Sequence, residues 1–405
     1  MRLQPDAGAG VGVRRAAPHF GVRFPGALAA AYRDRPPLLR LHGRCRVLLR
    51  RQPRGVGDLL ASAQRFLVVA FLVGAACRGP AETGPNESHR SASAANAIVV
   101  CGQRFPIDVP VVLWTEPPYY DASRRGPRFG AAASDDPGEL RYHPGRKARD
   151  PELAAQVEGD GWSLEHLRRQ VDLFVLHYDA AGTSQSCFKI LHDRRGLSVH
   201  FLLDVDGTIY QTLDLKEQAW HARQANPRSI GVEIANIGAY EPGAMSPLGE
   251  WYREGTDGVV MSLPGVLGEG GVRTEDFVAR PARANRIRGE VHGAVYEQYD
   301  FTPEQYRSLI ALTAALMDVF PQIRLRAPRD ARGRIRTDTL TDAEFQRFQG
   351  IIGHQHLSKS KRDPGPAFDW QRFLRAVARK LALRGGRGFA LSGSCPRFAG
   401  ARYFA

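Results

Sequence analysis

The stretch VDLFVLHYDA, residues 171–180, is where the fold can first be read. Apart from Asp172, its opening eight residues are an apolar run of strand length that closes on His177 and Tyr178. A strand apolar on both faces belongs in the middle of a sheet covered on both sides. Working outward, Ser184 is placed to cap a helix through CFKILHDRR that stops at Gly196. LSVHFLLDVDGTIYQTL (197–213) reads as a hairpin around Asp206-Gly207, because Asp-Gly favours the tight turns that join antiparallel strands. SIGVEIANI (229–237) is a second buried strand, and IVVCGQRF and VPVVLWTEPP supply two short ones upstream. TPEQYRSLIALTAALMDVF (302–320) opens with Thr302 as cap and Pro303 in the first turn, then repeats apolar residues at helical spacing. A last helix is expected from Asp369 through Leu383. The rhythm is that of an α/β fold: a central mixed β-sheet flanked by helices, with a disordered N-terminal region and long loop insertions at 238–300 and 321–349.

The net charge of +14 invites a nucleic-acid partner, but residues 1–76 hold thirteen Arg against three acidic residues, which leaves the rest of the 405-residue chain nearly balanced. No aromatic RNA-binding signature accompanies the basic block, so no nucleic-acid partner is expected. Residues 1–97 read as a disordered region containing an export signal at about 56–77 and a Ser/Ala/Gly/Pro-rich tether. In RFLVVAFLVGAAC (65–77) the apolar part is too short to span a bilayer. Basic residues precede it, and Ala75-Ala76-Cys77 resembles the end of a bacterial lipoprotein signal. Membrane attachment through a lipidated Cys77 and a place in the bacterial cell envelope are therefore expected. A signal this far along implies that residues 1 to about 55 precede the true start, although no Met occurs between Met1 and Met245. The folded domain is expected over 98–383, with an N-terminal extension at 98–165, and a disordered tail over 384–405. Five cysteines form no CxxC pair; with Cys77 lipidated and Cys45 before the true start, Cys101, Cys187 and Cys395 remain, which outside the cytoplasm permit one disulfide whose partners the sequence does not name.

His177 stands where a strand hands over to a loop, the end of the sheet at which α/β folds collect ligands. Near the C-terminus GIIGHQHLSKSKRDPGPAFDW (350–370) puts two further histidines, two lysines and Asp-Pro-Gly into one loop before a helix. VLHYDA, SVHFLLDVDGTIYQ, AWHA, NPRSIGVEIAN and GHQHLSKSKRDPGPAFDW, in that order over 171–375, resemble the zinc-dependent N-acetylmuramoyl-L-alanine amidases, whose fold is shared with the peptidoglycan-recognition proteins. The resemblance implies a zinc cofactor and hydrolysis of the amide between N-acetylmuramic acid and L-alanine, so the expected partner is peptidoglycan or its muropeptides. By position His177, His354 and Asp363 match the metal ligands, an arrangement that leaves the fourth place of a catalytic zinc for water. The loop between His354 and Asp363 is one residue shorter than in such relatives, which keeps His356 open as a competing ligand. His354 is preferred because it follows GIIG directly.

Glu233 matches the family's acidic residue that moves the proton, and a carboxylate on a buried strand is expensive unless it is paired or functional. Lys361 matches a lysine that would stabilise the oxyanion. His200, His221, Asn226 and Arg228 are candidates for substrate contact, although hydrogen-bond satisfaction and Asn-Pro turn chemistry account for them equally well. RYHPGRKARDPEL (141–153) repeats His, Lys and Asp-Pro but lacks the Gly after Pro and the apolar strand before His, and reads as a solvated turn. Two other functions remain compatible with these residues: a peptidoglycan-binding module without catalysis, and a zinc peptidase acting within the stem peptide.

Overall fold

The computed structural model describes residues 96–129 and 139–388. The readings on the export signal, Cys77, the tether and the tail beyond 388 lie outside the described residues. A six-stranded sheet organises the domain. Its strands are β1 (Val111–Leu113), β2 (Leu173–Tyr178), β3 (Phe201–Leu203), β4 (Ile209–Gln211), β5 (Ser229–Ile234) and β6 (Gly350–Gly353). They lie in the order β6-β2-β5-β3-β4-β1, with β3 and β4 antiparallel and every other pair parallel. The sheet is thus mixed, as the sequence implies, and the apolar run at 171–178 occupies a position near its centre.

The two faces of β2 explain the layers. Phe174 and Leu176, with Ile230, Val232, Ile351 and Phe201, pack against α1 (Pro303–Val319) and α2 (Trp370–Gly388), which supply Leu309, Leu312, Phe373 and Val377 to one core. Leu173, Val175 and then His177 point the other way, since side chains alternate along a strand. Because Cα partners of parallel strands share a face, the register His177↔Glu233 aims both side chains to that same side. Gly231, in register with Val175, keeps the face open: a Cβ there would stand 2.5 Å from the His221 ring.

Local signals hold with small shifts. Thr302 caps α1 through a box in which its hydroxyl accepts from the Gln305 amide and Gln305 Oε1 accepts from the Thr302 amide. The cap of the helix Ser184–Phe188 is Thr183 rather than Ser184, one residue earlier than expected. The Asp206-Gly207 hairpin forms, with Gly207 at φ 83. α2 runs to Gly388, past the expected stop at Leu383, with Arg384 paired to Asp318 at 2.8 Å. Among the described cysteines, Cys101 and Cys187 are free.

Two larger corrections concern residues before 165. The upstream strands belong to the main domain: Ala97–Val100 and Gln103–Pro106 form a hairpin whose turn amides, Cys101 and Gly102, are held by the Asp214 carboxylate at 2.8 and 2.7 Å. β1 then joins the edge of the sheet. The segment 141–153 is no solvated turn. Tyr142–His143 pairs with Gln218–Ala219, Asp150 caps a helix, and Arg146 is only 3% exposed. Its guanidinium donates to the carbonyls of Leu215, Asn226, Pro227 and Ser229 at 2.8–3.3 Å. A buried guanidinium survives only when its donors are occupied. Replacing Arg146 with Leu strands these carbonyls, so the Arg146→Leu protein should lose about 3 kcal/mol of stability by urea unfolding; a loss under about 1 kcal/mol would contradict this account of the segment.

Candidate metal centre

Three segments distant in sequence converge at the C-terminal ends of β2 and β6. His177 is the fifth residue of β2, His354 follows β6 immediately, and Asp363 comes from the loop before α2. All three are buried. The Nδ1 atoms of His177 and His354 are 3.0 Å apart, and Asp363 Oδ2 is 2.9 Å from the first and 3.0 Å from the second. Nitrogen and oxygen ligands about 2.0–2.1 Å from a tetrahedral zinc stand roughly 3.3 Å apart, so this triangle is close to the size a zinc ion requires. Among the described residues it is the one group of His, Cys and acidic side chains arranged to hold a metal.

The donor chemistry fits as well. For His177 to offer Nδ1 as a lone pair, its proton must sit on Nε2. His177 Nε2 lies 3.0 Å from His221 Nδ1, and His221 Nε2 lies 3.2 Å from Ser229 Oγ. With the proton on Nε2, His177 donates to His221 and His221 donates to Ser229. A cation at Nδ1 would select this direction over the reverse one, in which Ser229 donates to His221, His221 to His177, and His177 Nδ1 to Asp363. His356 is excluded as a competing ligand because both its nitrogens are committed: Nδ1 accepts from the Gly353 amide at 2.9 Å and Nε2 donates to the Arg336 carbonyl at 2.8 Å.

Electrostatics follow from burial. Burial, reinforced by His354, pushes His177 down to about 4, so the ring is neutral and free to ligate at pH 7. Burial alone would raise the Asp363 carboxyl, but His354 and His177 outweigh it and hold the group well below the usual carboxylate range. Glu233 Oε1 lies 4.0 Å from His177 Nδ1, and its side chain is 11% exposed. Burial first, then Asp363 and Asp179, push the Glu233 carboxyl well above its ordinary value. Lys361 is half-buried, and its charge acts on both His177 and Glu233.

The four residues considered for substrate contact are placed differently. His200 is fully buried: its Nδ1 accepts from the Gly231 amide, and Nε2 reaches the Glu217 carbonyl beside the Arg146 guanidinium, each at 3.1 Å. His221 has both nitrogens committed to His177 and Ser229. Asn226 turns inward, its Oδ1 accepting from the amides of His221 (3.2 Å) and Ala222 (2.6 Å). Arg228 precedes β5 at the opposite end of the sheet, clamped on Asp172 at 2.7 and 2.8 Å and on carbonyls of the 345–348 turn. His200, His221 and Arg228 therefore present no free polar group to a substrate, and Asn226 commits its Oδ1 inward: three of the four brace the candidate site from behind, and Arg228 closes the far end of the sheet. Sequence reasoning also missed Asn236, Gln298 and His292, whose partners lie far away in the chain.

The comparisons bear on this site. Residues 167–366 match the family model described as N-acetylmuramoyl-L-alanine amidase, a span that contains five of the six strands and every residue of the triangle, so the resemblance read in the sequence holds. No curated protein matches the chain. Among solved structures, the N-acetylmuramyl-L-alanine amidase AmiD from E. coli, in complex with anhydro-N-acetylmuramic acid-L-Ala-D-gamma-Glu-L-Lys, is 19% identical over 51% of this chain, which spans 57% of that one, at a TM-score of 0.28. The Staphylococcus aureus hydrolase AmiA is 12% identical, covering 60% of this chain and 98% of its own, at 0.30. Drosophila peptidoglycan recognition protein SD is 10% identical, covering 64% and 91%, at 0.28. Scores of this size carry no weight of their own.

The buried histidines make acid stability testable. His356, like His177, is held at about 4 by burial, below an unfolded value near 6.5. The unfolded chain then binds more protons than the folded one between those values, so this stability is complete above about pH 6.5 and is lost as pH falls toward 4. Glu233, raised in the fold, acts in the opposite sense and costs stability as pH rises above its unfolded value near 4.5. In the metal-free protein, urea midpoints should fall between pH 7 and pH 5, and His356→Gln should flatten that fall; an unchanged profile in the variant would show that His356 contributes nothing to it.

Proposed function

We propose that the protein hydrolyses the amide joining the lactyl group of N-acetylmuramic acid to L-alanine in peptidoglycan, with zinc held by His177, His354 and Asp363. The observation that carries this reading is the ligand triangle with the Glu233 carboxyl 4.0 Å from its His177 corner, set there by adjacent strands in register. The family match over 167–366 supports the reaction class. The run from Arg65 to Cys77 supports placing the protein in the cell envelope, where this substrate lies.

Bound at the triangle, zinc supplies a Lewis acid for the scissile carbonyl and for the attacking water. The work of the chain's own residues follows from their surroundings. Glu233 takes the proton as the water oxygen bonds to the carbonyl carbon. It then delivers that proton to the amide nitrogen as the carbon–nitrogen bond breaks, leaving a lactyl carboxylate and a free L-alanine amine. A carboxyl pushed upward by burial and by Asp363 is suited to carrying a proton both ways. The Lys361 ammonium offsets the negative charge that gathers on the carbonyl oxygen. His221 holds His177 in its ligating tautomer throughout. The same set disfavours a binding module without catalysis, which has no use for a nearly buried carboxylate beside a complete ligand triangle.

Elemental analysis of the purified protein should give one zinc per chain, and digestion of peptidoglycan should release peptides that begin with L-alanine and stop on chelation. Asp363→Ala should lose metal and activity together. Glu233→Gln should keep its zinc and lose about 10²–10⁴ in kcat, and Lys361→Met about 10²–10³. Products cut inside the peptide would replace this reading with a peptidase, and wall binding without cleavage would replace it with a binding module.

A further inference from the structure

The insertion between β5 and α1 ends in a hairpin, Ile287–Val291 paired with Ala294–Gln298, which lies against the loop carrying Asp363. Four residues of that loop meet the insertion, two on either side of the ligand. His292 Nε2 donates to the Lys361 carbonyl at 2.8 Å. Arg362 donates to the Ala239 carbonyl at 3.1 Å and stacks over Tyr296 at 4.7 Å. Gln298 Nε2 donates to the Pro364 carbonyl at 3.1 Å, and Gly365, at φ 84, passes so close that a Cβ would strike Gln298 Oε1. The Gln298 side chain is fully buried and uses each of its polar atoms: Nε2 also donates to Asn236 Oδ1, and Oε1 accepts from the Ala367 amide, both at 3.1 Å. Asn236 lies three residues beyond Glu233, and its amide donates to the Asp179 carboxylate at 3.0 Å. One carboxamide therefore ties the end of the strand that bears Glu233 to the loop that bears Asp363.

From this geometry we infer that Gln298 is a positioning residue that sets Asp363 against the two histidines and in register with Glu233, and that His292 positions Lys361 in the same way. The inference rests on the proposed zinc site. A carboxylate ligand on a loop gains its fixed direction from what holds the loop, and loss of such support lowers metal affinity and turnover without any change of ligand. The hairpin supplies that support here: the backbone is gripped on both sides of Asp363, while the 354–363 turn itself adds the Gln355 amide on the Asp363 carbonyl, at 2.9 Å, and the Lys361 amide on the Ser358 carbonyl, at 3.0 Å.

The test uses the full chain and two variants. Gln298→Met keeps the volume and removes all three hydrogen bonds; His292→Ala alters a half-buried side chain at the tip of the hairpin. Zinc affinity is measured by competition with a chelator, exchange of the Gln355 amide is followed in the metal-free protein, and kcat and KM are determined separately. Gln298→Met should weaken zinc binding by about 10- to 100-fold, speed Gln355 exchange without metal, and lower kcat with KM little changed. His292→Ala should keep its zinc affinity and lose about tenfold in kcat. A folded Gln298→Met protein with wild-type affinity and exchange would overturn the inference while leaving the zinc site standing. Should Gln298→Met fail to fold, His292→Ala with unchanged kcat would overturn it. A wild-type protein that binds no zinc would remove the proposed function and this inference together.

Discussion

The pairing of β2 with β5 is the constraint on which the site depends. Parallel strands in register place His177 and Glu233 side by side on one face, so the proposed metal ligand and proposed proton carrier are separated by a strand spacing rather than by a loop. Backbone hydrogen bonds in the middle of a six-stranded sheet are the stiffest reference a small domain offers. Everything else at the site is brought to that pair. His354 arrives on a third strand parallel to β2, and Asp363 arrives on a loop that must be gripped from outside.

Behind the pair stands a column of polar groups that is costly to bury and fully used. Arg146 lies beneath His200, His200 takes the Gly231 amide, and Gly231 has no side chain to obstruct His221, which in turn orients His177. Burial of this kind is tolerated only when nearly every donor finds an acceptor. It explains why three histidines of similar appearance in the sequence are placed differently: one stands in the candidate ligand triangle, one hydrogen-bonds its far nitrogen, and one lies beneath the second.

Much of this was legible beforehand, for physical reasons. Continuous apolar runs announce central strands, and the position of a histidine directly after such a run marks it as standing at a sheet edge facing the ligand. That is why His177 stands out as a candidate; the resemblance of the ordered motifs then pairs it with His354, which follows GIIG directly as the motif expects and is preferred over His356. Arg146 was not legible: in RYHPGRKARDPEL it sits among charges that ordinarily face water, and its acceptors are carbonyls 69–83 residues away. Gln298 was hidden for the same reason, since its loop partners are 66–69 residues distant. β1 is expected as a short strand, but its three residues do not say that it joins the sheet beside β4. Asn226 and Arg228 read as polar loop residues near a ligand, whereas their side chains turn inward to close the backbone.

The position of His354 has a thermodynamic side. β6 is a border strand with a single neighbour in the sheet, and His354, which follows it, is 177 positions along the chain from His177. An ion shared by the two is a cross-link that closes a very long loop, and it acts on the unfolded ensemble as a covalent staple does. The same ion seals the border of the sheet at the point where it is weakest. For the proposed metal, retention of the ion and docking of that border would be one equilibrium, so the protein would guard its architecture and its reactivity through the same three atoms.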